Sequence, residues 1–210
     1  GQGRGRCGWR SPSLGGYQRG GPTGNTEKGA LAPGLGYKVP DMESWSIELE
    51  KEYFKFSAAH FLIFPDGSAE RLHGHNYHVT VELDAGLDEF GLVLDFKKVK
   101  PVVRELCDWL DEHFLVPGLH AELEVGDVVD GHRTVVYRDT RYMVPDEDLI
   151  VLPINNSSSE NLATWFGRRL KEELESRFAG VEIERLHVSV EETSGQRGVY
   201  LFTRDEVTGD

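Results

Sequence analysis

Two histidines flank a glycine at His73-Gly74-His75. On an extended chain, residues two apart project from one face with about 6–7 Å between their Cα atoms. Both imidazoles can therefore turn toward a single ion, and Gly74 leaves the backbone between them uncrowded. A third ligand has to come from another segment, and His60, closing the preceding strand-like segment, is the candidate. Three neutral imidazoles with an open fourth position are the ligand set of a catalytic Zn²⁺ rather than of a closed structural site. The same pair also fits partly buried, hydrogen-bonded strand histidines. His78 has the opposite parity and is expected to face away, and His120, His132 and His187 read as ordinary surface or core histidines.

The elements that must carry these side chains follow from periodicity. From Ser46 to Ala58 the chain alternates, with Phe54, Phe56 and Ala58 on the parity of His60, which predicts a strand. Pro65-Asp66-Gly67-Ser68 marks a turn. Tyr77, Val79, Val81 and Leu83 share the parity of His73 and His75 in a second strand. A short strand is expected at Leu92-Val93-Leu94. Asp95 then caps a helix with the stripe Val99, Val102, Val103, Leu106, Leu110 and Phe114, stopping near Pro117-Gly118. Residues 121–152 form a strand-rich insertion. Ser157 and Glu160 have capping-box spacing and open a second helix with Leu162, Trp165, Phe166, Leu170, Leu174 and Phe178 inward. Strands at Ile183–Glu191 and Val199–Thr203 close the pattern, which predicts an antiparallel α+β domain rather than a βαβ series.

Composition bounds the function. The 210 residues carry 36 acids against 23 Lys/Arg, a net charge of −13, which argues against general nucleic-acid binding. Residues 1–41 hold 12 of the 24 glycines and a net +4, so residues 42–210 carry −17. Residues 1–44 are expected to be a disordered, basic Gly/Pro-rich tail, and 45–205 the folded domain. Met42 stands just before the first strand-like segment, and the residues ahead of it are set aside as an over-extended start or an added sequence. RNA binding through the tail is the least favoured reading. Apolar runs such as Phe61-Leu62-Ile63-Phe64 are too short to span a membrane. Cys7 and Cys107 cannot make a disulfide framework, and they point to a reducing, cytoplasmic setting.

Phe56-Ser57-Ala58-Ala59-His60 and Leu72-His73-Gly74-His75-Asn76-Tyr77 resemble motifs of the 6-pyruvoyl-tetrahydropterin synthase / 6-carboxytetrahydropterin synthase family. Val93-Leu94-Asp95-Phe96, Leu110-Asp111, Ser158-Ser159-Glu160-Asn161-Leu162-Ala163 and Val190-Glu191-Glu192-Thr193 follow in family order, over about residues 46–203. The resemblance implies a T-fold, four antiparallel strands with two helices on one face. It also implies a homo-hexamer with sites between subunits, zinc on His60, His73 and His75, and a pterin held by Glu192, with Ser158 at the substrate.

Two positions depart from the family pattern. The places four and six residues before the histidine pair, where the family keeps a catalytic cysteine, are Ala69 and Gly67. Cys107 sits beside the helix stripe, where a small buried thiol is the plain reading. Glu70 gives Glu-Xaa-Xaa-His-Gly-His. This resembles a subgroup in which glutamate replaces the cysteine and dihydroneopterin triphosphate yields 6-hydroxymethyl-dihydropterin; a surface glutamate in a loop is the alternative. At the helix end, Leu110-Asp111-Glu112-His113 stands where the family reads Leu-Asp-His, so either Glu112 or His113 partners Asp111. The function implied is a zinc-dependent lyase on 7,8-dihydroneopterin triphosphate, with Glu70, Asp111 and His113 catalytic. It would serve folate, tetrahydrobiopterin or deazapurine (queuosine) synthesis. The alternative is a zinc- and pterin-binding protein without lyase activity or with another substrate.

Overall fold

The structure, a computed structural model, describes residues 44–178 and 180–204. The expected tail, except Ser44, lies outside the described residues. Strand β1 (Ser46–His60) pairs antiparallel with β2 (His73–Asp84), and β2 with β8 (Arg185–Thr193), which pairs with β9 (Gln196–Thr203). These are the four antiparallel strands the sequence implies. On the other edge, β3 (His113–Pro117) pairs parallel with β1 and with β7 (Leu149–Leu152), making six strands in the order β7-β3-β1-β2-β8-β9.

Alternation places Phe54, Phe56, Ala58, Tyr77, Val79, Val81, Leu83, Leu186, Val188 and Val190 on one face. Against that face lie α1 (Phe96–Leu110), through Val99, Val102, Val103 and Leu106, and α2 (Ser159–Arg177), through Leu162, Phe166, Leu170 and Leu174. Burying each such side chain is worth about 1.5–3 kcal/mol, and His60, His73 and His75 continue the same parity at the ends of β1 and β2. A register shift between Glu50 and Lys55 moves the buried parity of β1 from Leu49 to Phe54.

The structure corrects several boundaries. Leu92–Leu94 forms no strand; the Leu92 N–H instead meets the Asp88 carboxylate in a loop. Helix α1 ends at Leu110, not near Pro117. Asp111 is extended, and its carboxylate accepts the Ser57 N–H at 2.6 Å, while the Glu112 N–H donates to the Ser57 carbonyl at 2.7 Å. The edge of β1 thus takes over the chain, Glu112 turns at φ +61°, and Phe114 becomes a strand residue. The cap of α2 is Ser158, not Ser157: Ser158 Oγ accepts the Asn161 N–H, whereas Ser157 is buried with its hydroxyl on the Phe61 carbonyl. The insertion divides. Strands β4 (Leu123–Val125), β5 (His132–Tyr137) and β6 (Thr140–Pro145) make a separate antiparallel sheet, while β7 joins the main one. A second core of Phe61, Ile63, Phe114, Val116, Leu123, Val135, Tyr137 and Leu149 lies between them.

Candidate metal centre

His60 and His73 are cross-strand partners at the ends of β1 and β2, and His75 faces Ala58 one step along. The period of two puts all three imidazoles on one face, with ring centroids 4.7, 4.8 and 5.2 Å apart. The carboxylate of Glu192 joins them, its Oε1 2.8 Å from His75 Nε2 and 3.7 Å from His60 Nε2. Glu192 lies where the β8–β9 register shifts between Glu191 and Thr193, and such a bulge re-aims a side chain. The four candidate ligand atoms lie within 4.8 Å of one another.

The donor set fits a zinc-type ion. His60 Nδ1 lies 2.9 Å from the Ser157 carbonyl and His73 Nδ1 2.8 Å from the Arg71 carbonyl. A ring that donates through Nδ1 presents Nε2 as a lone pair. Among the described residues, Nε2 of His60 and of His75 is buried without a hydrogen bond, although Glu192 is near both. Burial, the largest influence on it, lowers the pKa of His60 and keeps the ring neutral, as a ligand must be. Converging, unpartnered nitrogens beside a carboxylate are costly unless something positive binds them.

Glu70 stands at the rim. Its Oε2 lies 3.8 Å from His73 Nε2 and accepts the Leu62 N–H at 3.2 Å. Asp111 and His113 have no recorded bond to the cluster among the described residues. Ala58 pairs with both His75 and His113, so those two stem from one row of the sheet, two strand spacings or about 10 Å apart. A cavity of about 600 Å³ is lined by His75, Asn76, Glu112 and His113 among others. Ser158 is held at the α2 N-terminus, one residue beyond the carbonyl that orients His60. Cys107 is fully buried in α1, and burial pushes its thiol up to about 12, far from a nucleophile's range.

Sequence reasoning missed three contributors. Asn156 brackets Ile63, accepting its N–H at 3.2 Å and donating to its carbonyl at 2.9 Å. The Ser157 carbonyl sets the His60 tautomer. The Tyr77 hydroxyl is buried without a hydrogen-bond partner among the described residues, and burial raises its pKa. An Asn-Ser pair ahead of a helix signals only a cap, so no local pattern pointed to these roles.

Residues 48–201 match the family described as 6-pyruvoyl tetrahydropterin synthase. A putative 6-carboxy-5,6,7,8-tetrahydropterin synthase of Methanocaldococcus jannaschii is 33% identical over 147 residues, 70% of this chain and 88% of that one. Its counterpart in Pyrococcus horikoshii is 30% identical over 151 residues, 71% and 87% of the two chains. Among solved structures, the Plasmodium falciparum 6-pyruvoyl tetrahydropterin synthase superposes with a TM-score of 0.71 at 31% identity, covering 77% of this chain and all but 1% of its own, since 99% of it is matched. A Plasmodium vivax 6-pyruvoyltetrahydropterin synthase, described as a catalytic-residue mutant with glutamate changed to cysteine, gives a TM-score of 0.72 at 29% identity, over 78% of this chain and 100% of that one. The motif order, the sheet with its two helices and the match across residues 48–201 agree, and the chain belongs to the 6-pyruvoyl tetrahydropterin synthase family.

Proposed function

We propose that the chain is a zinc-dependent lyase that cleaves the side chain of 7,8-dihydroneopterin triphosphate to form a 6-substituted pterin, with 6-hydroxymethyl-dihydropterin as the product most consistent with Glu70. The observation that carries this reading is the position of Glu70, its carboxylate 3.8 Å from His73 at the rim of the three-histidine cluster. Glutamate-to-cysteine and glutamate-to-alanine variants of the Plasmodium vivax relative are described as catalytic-residue mutants, which supports a catalytic glutamate in proteins of this kind.

His60, His73 and His75 would hold the ion. When bound, Zn²⁺ supplies Lewis acidity that lowers the pKa of coordinated hydroxyl groups. Glu70 takes the proton from the side-chain hydroxyl, its carboxylate aimed by the Leu62 N–H. Glu192 offers two acceptor oxygens to the 2-amino and ring N–H groups of a pterin, and Ser158 borders the substrate from the α2 cap. Asp111 and His113 are the second proton-transfer residues in this reading; the His113 Nδ1 donates to the Asp111 main-chain carbonyl at 2.5 Å, while the Asp111 carboxylate accepts the Ser57 N–H. The assembly in this reading is a cytoplasmic homo-hexamer, with the folded unit at residues 45–205.

Incubation with 7,8-dihydroneopterin triphosphate and identification of the pterin product by mass spectrometry tests the reading. Glu70→Ala should lower turnover by about 10²–10⁴-fold while the protein retains its zinc. Absence of any pterin product from the zinc-loaded protein would leave a binding role instead, and full activity in Glu70→Ala would remove Glu70 from the mechanism.

A further inference from the structure

The small sheet β4–β6 supplies no member of the histidine–glutamate cluster, yet its hairpin tip reaches the loop that carries Glu70. That loop is closed on itself. The Glu70 N–H donates to the Leu62 carbonyl at 2.9 Å, the Leu62 N–H donates back to the Glu70 carboxylate, and Ile63 and Ala69 form a bridge. Beyond the bridge, the Phe64 N–H donates to the Ser68 carbonyl and the Gly67 N–H to the Phe64 carbonyl, both at 2.8 Å. The loop is therefore a short paired lever, with Glu70 at its base and Gly67 at its tip. The Ile63–Ala69 bridge lies between the tip and the carboxylate.

The tip is gripped from outside. The Gly67 carbonyl accepts two hydrogen bonds, from the Tyr137 hydroxyl at 3.0 Å and from Arg138 Nη1 at 2.7 Å. The Arg138 guanidinium is itself fixed by Glu122, next to β4, with Nε and Nη2 each 3.1 Å from the carboxylate. Two features show that these positions suit each other. Arg138 opens the two-residue β5–β6 turn at φ +51°, where glycine would be unstrained. An arginine in this left-handed position bears some backbone strain that glycine would not, and its side chain is the group that reaches Gly67. Gly67 has φ +80°, and a Cβ there would lie 2.0–2.5 Å from the Arg138 guanidinium atoms. A residue with a side chain at position 67 would expel the clamp.

We propose that the β5–β6 hairpin is a clamp on the Glu70 loop, with Arg138 and Tyr137 as positioning residues that hold the Glu70 carboxylate at the histidine cluster. This rests on the reading of Glu70 as the catalytic base, and it gives the insertion a role in the reaction beyond covering the second core. The step lost without the clamp is orientation of the base, so kcat falls while binding of zinc and of the pterin ring is kept.

The test uses the full, zinc-loaded chain and 7,8-dihydroneopterin triphosphate. Arg138→Gly relieves the turn and removes the guanidinium, so the fold should keep its melting temperature and its zinc. The expected result is a loss of about tenfold in kcat with KM within about twofold, faster amide exchange of residues 64–70, and recovery of most of the loss in Arg138→Lys, which can still donate to the Gly67 carbonyl. Tyr137→Phe should give a smaller loss of the same kind. On a Glu70→Gln background, adding Arg138→Gly should change the residual rate by less than about twofold, because the two substitutions remove one function. Wild-type kcat in Arg138→Gly while Glu70→Gln is inactive overturns the clamp and leaves the base reading standing. The full additional loss on the Glu70→Gln background also overturns the clamp, since Arg138 would then act by another route. Wild-type kcat in Glu70→Gln overturns the base reading and the clamp's catalytic role together.

Discussion

The His60 ring is fully buried, with Nδ1 at the Ser157 carbonyl and Nε2 without a hydrogen bond. Burial, the largest influence, together with the neighbouring His73 and His75 lowers its pKa more than the Ser157 bond and Glu192 raise it. The unfolded chain, with an ordinary histidine value of about 6.5, therefore takes up this proton before the folded protein does as pH falls. The stability His60 contributes is intact above the unfolded value and is lost on acidification through the folded value, with a slope of at most about 1.4 kcal/mol per pH unit. In chelator, urea midpoints at about pH 7.5 and pH 5.5 should fall more steeply for the wild type than for His60→Gln. Equal slopes would assign the acid loss to other groups. The histidine cluster was legible from spacing, because His60, His73 and His75 depend only on strand parity, whereas Glu70 was singled out only through the family resemblance. The nearness of Glu192 to the imidazoles was not legible, since it depends on the β8–β9 register shift between Glu191 and Thr193, which leaves no trace in local alternation.

Helix α2 and strand β9 meet at a point where backbone, not side chain, makes the contact. A Cβ on Gly198 would stand 2.2 Å from the Glu160 nitrogen and the Ser159 carbonyl carbon, in the first turn of α2. That turn begins at Ser158, next to the carbonyl that orients His60. Gly198→Ala must push β9 from the helix or shift the helix N-terminus, and overpacking of this kind costs about 1–3 kcal/mol. The expected outcome is a lower urea midpoint together with weaker zinc retention, measured by competition with a chromogenic chelator. Gly86 is the control: it has open space around it and no left-handed φ, so Gly86→Ala should be neutral or slightly stabilising. A Gly198→Ala protein as stable as the wild type would mean that the approach of β9 to α2 is loose. The helices themselves were readable from their apolar stripes and caps. The end of α1 was not, because Phe114 falls at the next helical position after Leu110 and only the Ser57 backbone, 54 residues earlier, draws Asp111 out of the helix. Likewise the capping-box spacing to Glu160 favours Ser157, and the structure overrides it because the Ser157 hydroxyl is engaged by the Phe61 carbonyl and leaves Ser158 to cap the helix.

At the scale of the whole molecule, strand identity depends on partners far away in sequence. The pattern of residues 121–152 predicted strands correctly, yet β7 belongs to the main sheet and β4–β6 to a separate one, a division set by pairing with β3 and by the second core rather than by local alternation. The same long-range logic applies to the proposed reaction. Glu70 lies at the histidine cluster, whereas His113 stems from the far side of β1 and has no recorded bond to the cluster among the described residues. Within one chain His75 and His113 line the same cavity, and a hexamer with sites between subunits would instead pair Glu70 of one chain with His113 of another. Glu70→Gln and His113→Ala would each be inactive alone. Co-expressed in equal amounts, they should assemble randomly, and a site is intact only when its Glu70 comes from the His113→Ala chain and its His113 from the Glu70→Gln chain. That probability is one half times one half, so about one quarter of wild-type activity should return in a closed symmetric assembly. If both residues of a site belong to the same chain, every site carries one lesion and mixing restores nothing. The rate of pterin formation by the co-purified mixture, set against the two separate variants, therefore reports whether the site is shared.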